Sequence, residues 1–503
     1  MKKKYIIITL LAIVILLFIY SLIHRIPNID DSWDGDFAYW QAKLGYAKSE
    51  LMHGIAQQEI RLICHHKLLT LQGAFVINHF GFSLYHLKAI SLIYFILFLF
   101  IYYKHTYKKI FIPFYFYLLL LLFISNALIF DFSFVFRPEL ALMTLGFISY
   151  IFLDIALKHN NGLGYVILSG IFAGLCVSTH LNGIMFIFGG GLLLIINKKY
   201  FYAIIFGIST LPTAAIYFYD FTSIYNIHFW AYQIKEIASV EEFSNLPVGI
   251  SHLMNLLSEH LRYFHSPKEI SFSLLFIVTL IFTYKNLKTQ KNLVLYAAIL
   301  VISLGLFSVH KSSKYAIAYL PYLMIILVSS LNFLYDKKHT DSIRFQKNKL
   351  HLITILIVVY LLINTSYNVI LCKDKFHATD NRELVTEFIH EKTDSLRIVA
   401  PMQLIFNEIK NFKSIQADMC YSDMQKKNKS IYKQGFLDLT KKYKTDYIIL
   451  TEEFINKFGL EDFSVNDFHS NGFDLISKTD KLLVIKNTDR YNSRNKIYLS
   501  AGI

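Results

Sequence analysis

The chain has 503 residues and a net charge of +14, with 54% apolar and only 17% charged residues. Since soluble domains average about a quarter charged residues, this composition excludes an ordinary soluble protein and indicates repeated membrane spans. The basic residues lie in short loops, which indicates contact with anionic membrane lipids rather than nucleic acid. The sequence has no G-x-x-x-x-G-K-[ST] motif for ATP hydrolysis, and its cysteines lack the spacing of a zinc site or a disulfide framework.

Apolar segments fill the first three quarters of the chain, each near the length of about 20 residues that crosses a bilayer. The first follows Lys2-Lys3-Lys4 like a signal peptide, but no small-residue cleavage site follows it, so we interpret it as an uncleaved anchor. We predict eleven transmembrane helices, at 5–23, 87–103, 110–130, 140–157, 163–179, 181–196, 200–219, 270–284, 292–309, 315–335 and 350–371.

The distribution of lysine predicts the orientation, because cytoplasmic loops carry an excess of basic residues. With the N-terminus in the cytoplasm, the two long outer loops, 24–86 and 220–269, are acidic or balanced. The sequence therefore predicts a multi-pass protein of the cell (inner) membrane with a cytoplasmic N-terminus. The loops on the cytoplasmic side all carry lysine: 104–109, 158–161, 197–199, 285–291 and 336–349.

After residue 371 the composition becomes that of a soluble protein. An odd number of spans places this part of the chain outside the cytoplasm. We predict a transmembrane domain over 1–371 and a small extracytoplasmic α/β domain over 372–503. Its predicted strands are 397–400, 414–417, 447–450 and 482–485, and its predicted helices are 383–391 and 435–443.

The outer segment that follows the first predicted span is acidic and then aromatic. Phe37, Tyr39 and Trp40 are spaced as in a helix that lies along the membrane interface. One interpretation is a solvated acidic turn with an aspartate as the N-cap of that helix, at position 34 or 36. The other is a set of carboxylates that act as a base on an acceptor or hold a divalent cation. The carboxylates are Asp30, Asp31, Asp34 and Asp36.

An acidic pair after the first span, followed by a juxtamembrane helix, resembles the GT-C membrane glycosyltransferases. The resemblance is to the protein-mannosyltransferase and aminoarabinose-transferase-like enzymes, which use polyprenyl-phosphate sugars. Further segments continue it in the family's order: His65-His66-Lys67-Leu68-Leu69 with Phe80-Gly81-Phe82-Ser83 and Lys88; Arg137-Pro138-Glu139; Gly170-Ile171-Phe172-Ala173-Gly174-Leu175 with Thr179-His180; and His310-Lys311-Ser312-Ser313-Lys314-Tyr315 with Tyr319-Leu320-Pro321.

The sequence departs from the family pattern at three places. Gly35 separates Asp34 from Asp36, whereas the family has adjacent Asp-Glu, and lysine replaces proline at position 67 and arginine at position 88. The identity of the catalytic aspartate therefore stays open, with Asp34 or Asp36 favoured over Asp30 or Asp31.

The resemblance implies a GT-C-like fold and transfer of a hexose or pentose from a polyprenyl-phosphate donor to a lipid, glycan or protein hydroxyl outside the cytoplasm. An aspartate would take the proton of the attacking hydroxyl, with inversion, while cations stabilise the leaving phosphate. An ion pair between Arg137 and Glu139, and interfacial snorkelling of Lys311 and Lys314, are the structural alternatives. The residues predicted for the phosphate site are Arg137, Glu139, His310, Lys311, Lys314 and Tyr315.

Weaker site candidates are His65, His66, Lys67, Lys88 and His180. The two adjacent histidines could bind a metal with the aspartates, so a divalent cation is the one cofactor to consider. The alternative function is a transporter or flippase of a lipid-linked or small polar substrate. That function predicts charged helices at mid-membrane and related halves, and neither is evident in the sequence.

Overall fold

The computed structural model describes residues 2–25, 28–107, 110, 112–159, 161–236, 248–308, 311–337, 343–372, 378–404 and 408–489. Helices form most of the described chain before residue 372. They are α1 (Lys2–His24), α2 (Ile29–Leu44), α3 (Lys67–Phe80), α4 (Leu84–Tyr107), α5 (Pro113–Ser125), α6 (Ala127–Phe132), α7 (Glu139–Lys158), α8 (Leu163–Thr179), α9 (Ile184–Ile196), α10 (Tyr200–Ala214), α11 (Ile224–Glu236), α12 (Val248–Leu257), α13 (His260–Tyr263), α14 (Pro267–Thr283), α15 (Lys291–Phe307), α16 (Leu320–Lys337) and α17 (Ile343–Leu371).

Each predicted transmembrane segment overlaps an apolar helix, so the polytopic α-helical fold class is confirmed. By length and composition, six stretches can each cross a membrane alone, and the pair 249–263 and 267–283, bent by 99°, is a further candidate. Four more apolar helices are shorter than 18 residues, so the number of crossings stays a prediction. The six long stretches are Lys4–His24, Leu84–Tyr107, Glu139–Lys158, Tyr200–Phe218, Leu287–Phe307 and Asn348–Leu371.

One predicted span contains a local break that a hydropathy pattern does not show. Segment 110–130 divides into α5 and α6 because Asn126 interrupts the helix and caps the second part, accepting hydrogen bonds from the amides of Leu128 and Ile129.

The G-x-x-x-G spacing of α8 serves packing. A Cβ atom at Gly174 would overlap Thr210 and Thr213 of α10, so only glycine allows the two helices to lie this close.

The C-terminal domain, described over 378–404 and 408–489, is built on a five-stranded sheet of order β2-β1-β3-β5-β4. β1 is parallel to β2 and β3, while β5 is antiparallel to β3 and β4. Its elements are α18 (Ala378–Phe388), β1 (Arg397–Ala400), β2 (Ser414–Ala417), α19 (Asp418–Lys427), α20 (Gln434–Lys442), β3 (Tyr447–Thr451), α21 (Glu452–Phe458), α22 (Val465–Ser470), β4 (Phe473–Lys478) and β5 (Leu482–Asn487).

The predicted α/β character of this domain is confirmed, including all four predicted strands. The sequence analysis missed β4, an edge strand in which only Phe473 is buried and half-buried positions alternate with exposed ones such as Asp474 and Lys478. An edge strand with charged residues lacks the continuous apolar run that identified the other strands.

The first outer loop fastens the C-terminal domain to the membrane region. The amide of Ala417 donates to the carbonyl of Leu51 at 3.0 Å, and the hydroxyl of Ser32 in α2 donates to the carbonyl of Met402 at 2.9 Å. Leu51 also packs into the apolar core of the domain with Ile398. The loop and α2 therefore meet the carboxyl edge of the parallel strands, and the domain lies against α2.

Candidate active site

Helix α2 carries all four aspartates of the first outer segment. The prediction that Asp34 or Asp36 caps this helix is wrong, because α2 begins earlier. Asn28 is the N-cap, and its side chain forms a reciprocal capping box with Asp31. Since residues four apart share a helix face, Asp30 and Asp34 point in a similar direction, and the other two aspartates point elsewhere.

A cavity of about 1020 Å³ lies between the membrane region and the C-terminal domain. Residues of α2 and the turns before α7 and after α8 contribute one wall, and residues of α19 and α20 contribute the opposite wall. Its chemically reactive lining on the membrane side includes Asp30, Asp34, His65, His66, Arg137, His180, Lys314 and Tyr315. The volume is that of a pocket for a substrate rather than for a few water molecules.

Asp34 is the buried carboxylate of this cavity. Its side chain is nearly inaccessible, and its Oδ2 atom has no hydrogen-bond partner among the described residues. Burial raises the pKa of Asp34 well above its usual value, Arg137 opposes this shift, and the negative charges of Asp30 and Glu139 add to it. Asp34 thus lines the cavity with one carboxylate oxygen that no described protein group occupies, and this oxygen is available to accept a proton.

Two cations lie beside Asp34 and share carboxylate partners. Arg137 Nη1 lies 2.8 Å from Asp30 Oδ2, and the guanidinium also binds both oxygens of Glu139 at 2.8–3.1 Å. Lys314 Nζ lies 3.5 Å from Asp30 Oδ2. Burial opposes the charge of Arg137, but Glu139 and Asp30 raise its pKa, so the guanidinium stays charged. The name open cluster is used for Asp30, Asp34, Arg137, Glu139 and Lys314.

The other two aspartates of α2 are held by local structure. Asp31 lies 3.3 Å from the ammonium of Lys88 and accepts a 2.6 Å hydrogen bond from the amide of Phe136. Asp36 accepts a 2.7 Å hydrogen bond from Ser49, and burial raises its pKa to about 7. Neither lines the cavity. Of the two aspartates favoured from the sequence, Asp34 and Asp36, only Asp34 therefore lines the cavity.

The predicted phosphate-site lysines have different surroundings. Lys314 lines the cavity, as does Tyr315, but Lys311 does not. The ammonium of Lys311 binds Glu259 at 3.1 Å and the carbonyls of Gly305 and Ser308 at 3.0 and 2.9 Å.

The same Glu259 also binds Arg262 at 2.7 Å, and this guanidinium donates to the carbonyl of Ser312. Glu259, Arg262 and Lys311 are named the closed cluster. The placement of Lys311 in a donor site is therefore corrected. His310 lies outside the described residues.

Among the weaker site candidates, the histidines line the cavity and the lysines are held in ion pairs. His65, His66 and His180 line the cavity, and the rings of His66 and His180 stack with their centres 4.7 Å apart. Burial lowers the pKa of His180 to about 4, so its ring is neutral at physiological pH. Lys67 instead forms a buried ion pair with Asp220 at 2.7 Å. Lys88 pairs with Asp31, as described above.

The structure offers no support for the metal hypothesis. In the described part of the chain, no group of three His, Cys, Asp or Glu side chains could hold a metal ion. The His66 and His180 rings face each other as a stack. Burial lowers the pKa of His65, His66 and His180, so these rings line the cavity in their neutral form, and no chemical step at this site is assigned to a metal.

Part of the cavity lining is absent from the sequence-based candidates. Tyr217 and Tyr232 contribute to one side, and Asp423, Asp438 and Tyr443 of the C-terminal domain contribute to the opposite wall. No local motif marks these residues, because their positions depend on how the domain rests on the first outer loop. The contact between the rings of His53 and Tyr443, 4.8 Å apart, is part of that docking.

Comparison with known proteins identifies the fold. No model of a known protein family matches the chain, and no curated protein matches its sequence. Among solved structures, ArnT from Cupriavidus metallidurans in the apo state matches with a TM-score of 0.58 and 10% identity, over 97% of this chain and 99% of ArnT. The structure of the same protein bound to undecaprenyl phosphate matches with a TM-score of 0.55 and 8% identity, over 95% of this chain and 97% of that one.

The apo oligosaccharyltransferase of Archaeoglobus fulgidus matches with a TM-score of 0.54 and 10% identity, over 90% of this chain and 70% of that one. At such identities the likeness concerns the fold. The fold is that of the GT-C membrane glycosyltransferases, and the resemblance predicted from the sequence is confirmed at that level.

Proposed function

We propose that the protein is a membrane glycosyltransferase that moves a sugar from a polyprenyl-phosphate donor to an acceptor hydroxyl. The observation that carries this proposal is the unpartnered carboxylate oxygen of Asp34, buried in a large cavity beside Arg137 and Lys314. A base next to two cations is the combination that displacement of a phosphate requires. Structural neighbours solved with undecaprenyl phosphate and with a dolichol-phosphate are enzymes of this general kind.

In the proposed reaction, the oxygen of the acceptor hydroxyl attacks the anomeric carbon of the sugar, and Asp34 accepts the proton of that hydroxyl. The bond between that carbon and the phosphate oxygen breaks, and its electron pair leaves with the phosphate. Attack from the opposite face inverts the configuration of the sugar. The raised pKa of Asp34 makes its ionised carboxylate a stronger base, which favours acceptance of the hydroxyl proton.

Arg137 and Lys314 stabilise the leaving phosphate in this proposal. The guanidinium offers a fork of donors and the ammonium a point charge, and both strengthen their interaction as negative charge develops. Asp30 and Glu139 hold these cations at the cavity before the donor arrives. Preformed positions reduce the ordering that donor binding would otherwise require.

The location of the site follows from the lysine distribution. We place the protein in the cell (inner) membrane with the cavity and the C-terminal domain outside the cytoplasm. A reporter that is active only outside the cytoplasm should work when fused after Asp374 or near Ile503 and fail when fused near Lys338. Activity of the Lys338 fusion would reverse the orientation and place the cavity on the cytoplasmic side.

The function is tested in a strain that lacks the protein. Mass spectrometry of its surface glycolipids and glycoproteins should show a missing sugar, restored by the wild-type chain and not by Asp34→Asn. Purified protein should then release free polyprenyl phosphate from the lipid-linked sugar that accumulates in that strain. A flippase would restore the surface glycan without releasing polyprenyl phosphate, and that result would replace the enzyme by the alternative function.

A further inference from the structure

His65 is a second buried group in the cavity with an unused hydrogen-bonding atom. Its side chain is nearly inaccessible, it lines the cavity, and its Nε2 has no hydrogen-bond partner among the described residues. Leaving a buried polar atom unpaired is unfavourable. Because His65 lines a substrate-sized cavity, a ligand bound there is the partner available to this atom.

The position of His65 is fixed from two sides. Its Nδ1 lies 3.0 Å from the hydroxyl of Thr70, one turn into α3, which sets the orientation of the ring. The backbone before it is held by Gln233 of α11, whose side-chain oxygen accepts from the amides of Ile63 and Cys64 at 2.8 and 3.3 Å. The other end of Gln233 binds the carbonyls of Ala56 and Arg61. Nε2 is therefore presented by a rigid segment.

The ring is neutral, which limits what it can bind. Burial, with the nearby charges of Lys67 and Arg61, lowers the pKa of His65 well below its usual value. In a neutral imidazole, Nε2 is a donor in one tautomer and an acceptor in the other. A hydroxyl group matches both tautomers because it donates and accepts, whereas a phosphate oxygen matches only one.

The neighbouring residue places this atom next to the proposed phosphate site. His66 shares the cavity with Arg137 and Lys314 and stacks on His180, and the charges of Arg137, Lys314 and His65 all act on its ring. The sugar of a polyprenyl-phosphate donor is the first group beyond the phosphate.

We propose that His65 is a positioning residue whose Nε2 binds a hydroxyl of the transferred sugar. This inference rests on the proposed function and adds a determinant of sugar recognition that is separate from the phosphate cations and from the base. Thr70 acts through His65 by holding the ring.

Two substitutions distinguish recognition from a structural role. His65→Asn places an amide near Nδ1 and keeps the contact to Thr70, but it does not reach the position of Nε2. His65→Gln extends an amide toward the position of Nε2. Loss of one hydrogen bond to a neutral group should raise the KM for the sugar-bearing donor about 3- to 10-fold in His65→Asn. His65→Gln should retain more of the affinity, and Thr70→Val should show a smaller rise because the ring loses its anchor.

The controls use two ligands, undecaprenyl phosphate without sugar and the lipid-linked sugar isolated from the deletion strain. His65→Asn should bind undecaprenyl phosphate like the wild type, with an unchanged unfolding temperature. An unchanged KM in His65→Asn, or an equal loss for both ligands, would overturn the assignment while leaving the enzyme proposal intact. A wild-type protein that binds no undecaprenyl phosphate and releases none from the lipid-linked sugar would overturn the proposed function itself, and with it the role of His65.

Discussion

The open and the closed cluster use the same residue types and differ in how far their hydrogen-bonding capacity is used. In the closed cluster, the ammonium of Lys311 binds one carboxylate and two carbonyls, and Arg262 binds the same Glu259 and a carbonyl. In the open cluster, Lys314 has one carboxylate at 3.5 Å, and Asp34 keeps an unpartnered oxygen. The first arrangement is complete within the protein, and the second has atoms to offer to a ligand.

The comparison shows that a charged residue at an outer helix end does not by itself indicate a site. A buried ion pair contributes little net stability when complete, but removing one partner is strongly destabilising. Substitutions in the closed cluster should therefore affect folding, and those in the open cluster should affect turnover or donor binding. Three predictions test this division.

The largest effect is expected at Asp34. Replacing a positioned general base typically lowers the rate about 10²–10⁴-fold, so Asp34→Asn should lose transfer while retaining donor binding and its unfolding temperature. Asp36→Asn is the matched control on the same helix, because its side chain binds Ser49 and does not line the cavity. Transfer rates and donor affinities of the purified variants provide the measurement. Full turnover in Asp34→Asn would pass the base to Asp30 or Asp31, or remove the enzyme proposal.

The pH profile refines the same prediction. Asp34 must be deprotonated to accept a proton, and burial raises its pKa well above the usual carboxyl range. The rate of the wild type should therefore rise with pH through a range above that of an ordinary carboxylate. The residual rate of Asp34→Asn should lack this rise. A rising limb that persists in Asp34→Asn would belong to another group.

An intermediate effect is expected at Arg137. Hydrogen bonds to a charged group contribute about 1.5–3 kcal/mol, so Arg137→Ala should weaken donor binding about 10- to 100-fold. Arg137→Lys should lose less, since it keeps the charge but not the fork, and Glu139→Ala should show a smaller related defect. Donor affinity and unfolding temperature are measured on each purified variant. Wild-type donor affinity in Arg137→Ala, with lowered stability, would make Arg137 and Glu139 a second closed cluster.

The smallest effect is expected from two lysines that lie three residues apart. Lys314→Met removes a partly exposed charge and should weaken donor binding by roughly 2- to 5-fold, in line with about 0.5–1 kcal/mol for such charges. Lys311→Met should leave donor affinity unchanged and lower the unfolding temperature, because Lys311 links Glu259 to two carbonyls. Parallel donor titrations and thermal unfolding of the two variants compare the clusters directly. The opposite pattern would exchange their roles.

The sequence predicted those parts of the fold that local patterns determine. Long apolar runs such as α1 and α4, and buried strands such as β1 and β2, were predicted at or close to their observed positions. The start of α2 was not, because four aspartates near a helix start make several residues plausible caps, and only the structure shows that Asn28 takes the role. The break at Asn126 was missed because one polar residue hardly changes the hydropathy of a long run.

The sequence predicted several residues of the candidate site but not which of the named side chains line the same cavity. Asp34, Arg137 and Lys314 were named from the sequence, but the same criteria also named Asp36 and Lys311. Lys311 precedes the short 3₁₀ helix Ser313–Ala318, whose Lys314 and Tyr315 line the cavity while Lys311 does not, and no residue pattern showed that difference. For His65, the decisive partner of its segment is Gln233, 169–170 residues away along the chain. Such contacts depend on tertiary packing, which a single sequence does not display.

The hydrogen bond between Ser32 and Met402 has a consequence for biogenesis, because its partners are separated by 370 residues. At about 5–20 residues per second, a ribosome needs roughly 20–70 s to synthesise the intervening chain. During that interval α2 and the first outer loop, including Leu51, lack the surface of the C-terminal domain that later covers them. A nascent chain stalled before the sheet is therefore expected to be a substrate for quality-control proteases. The cavity has both of its walls only after the last helices that line it have been synthesised.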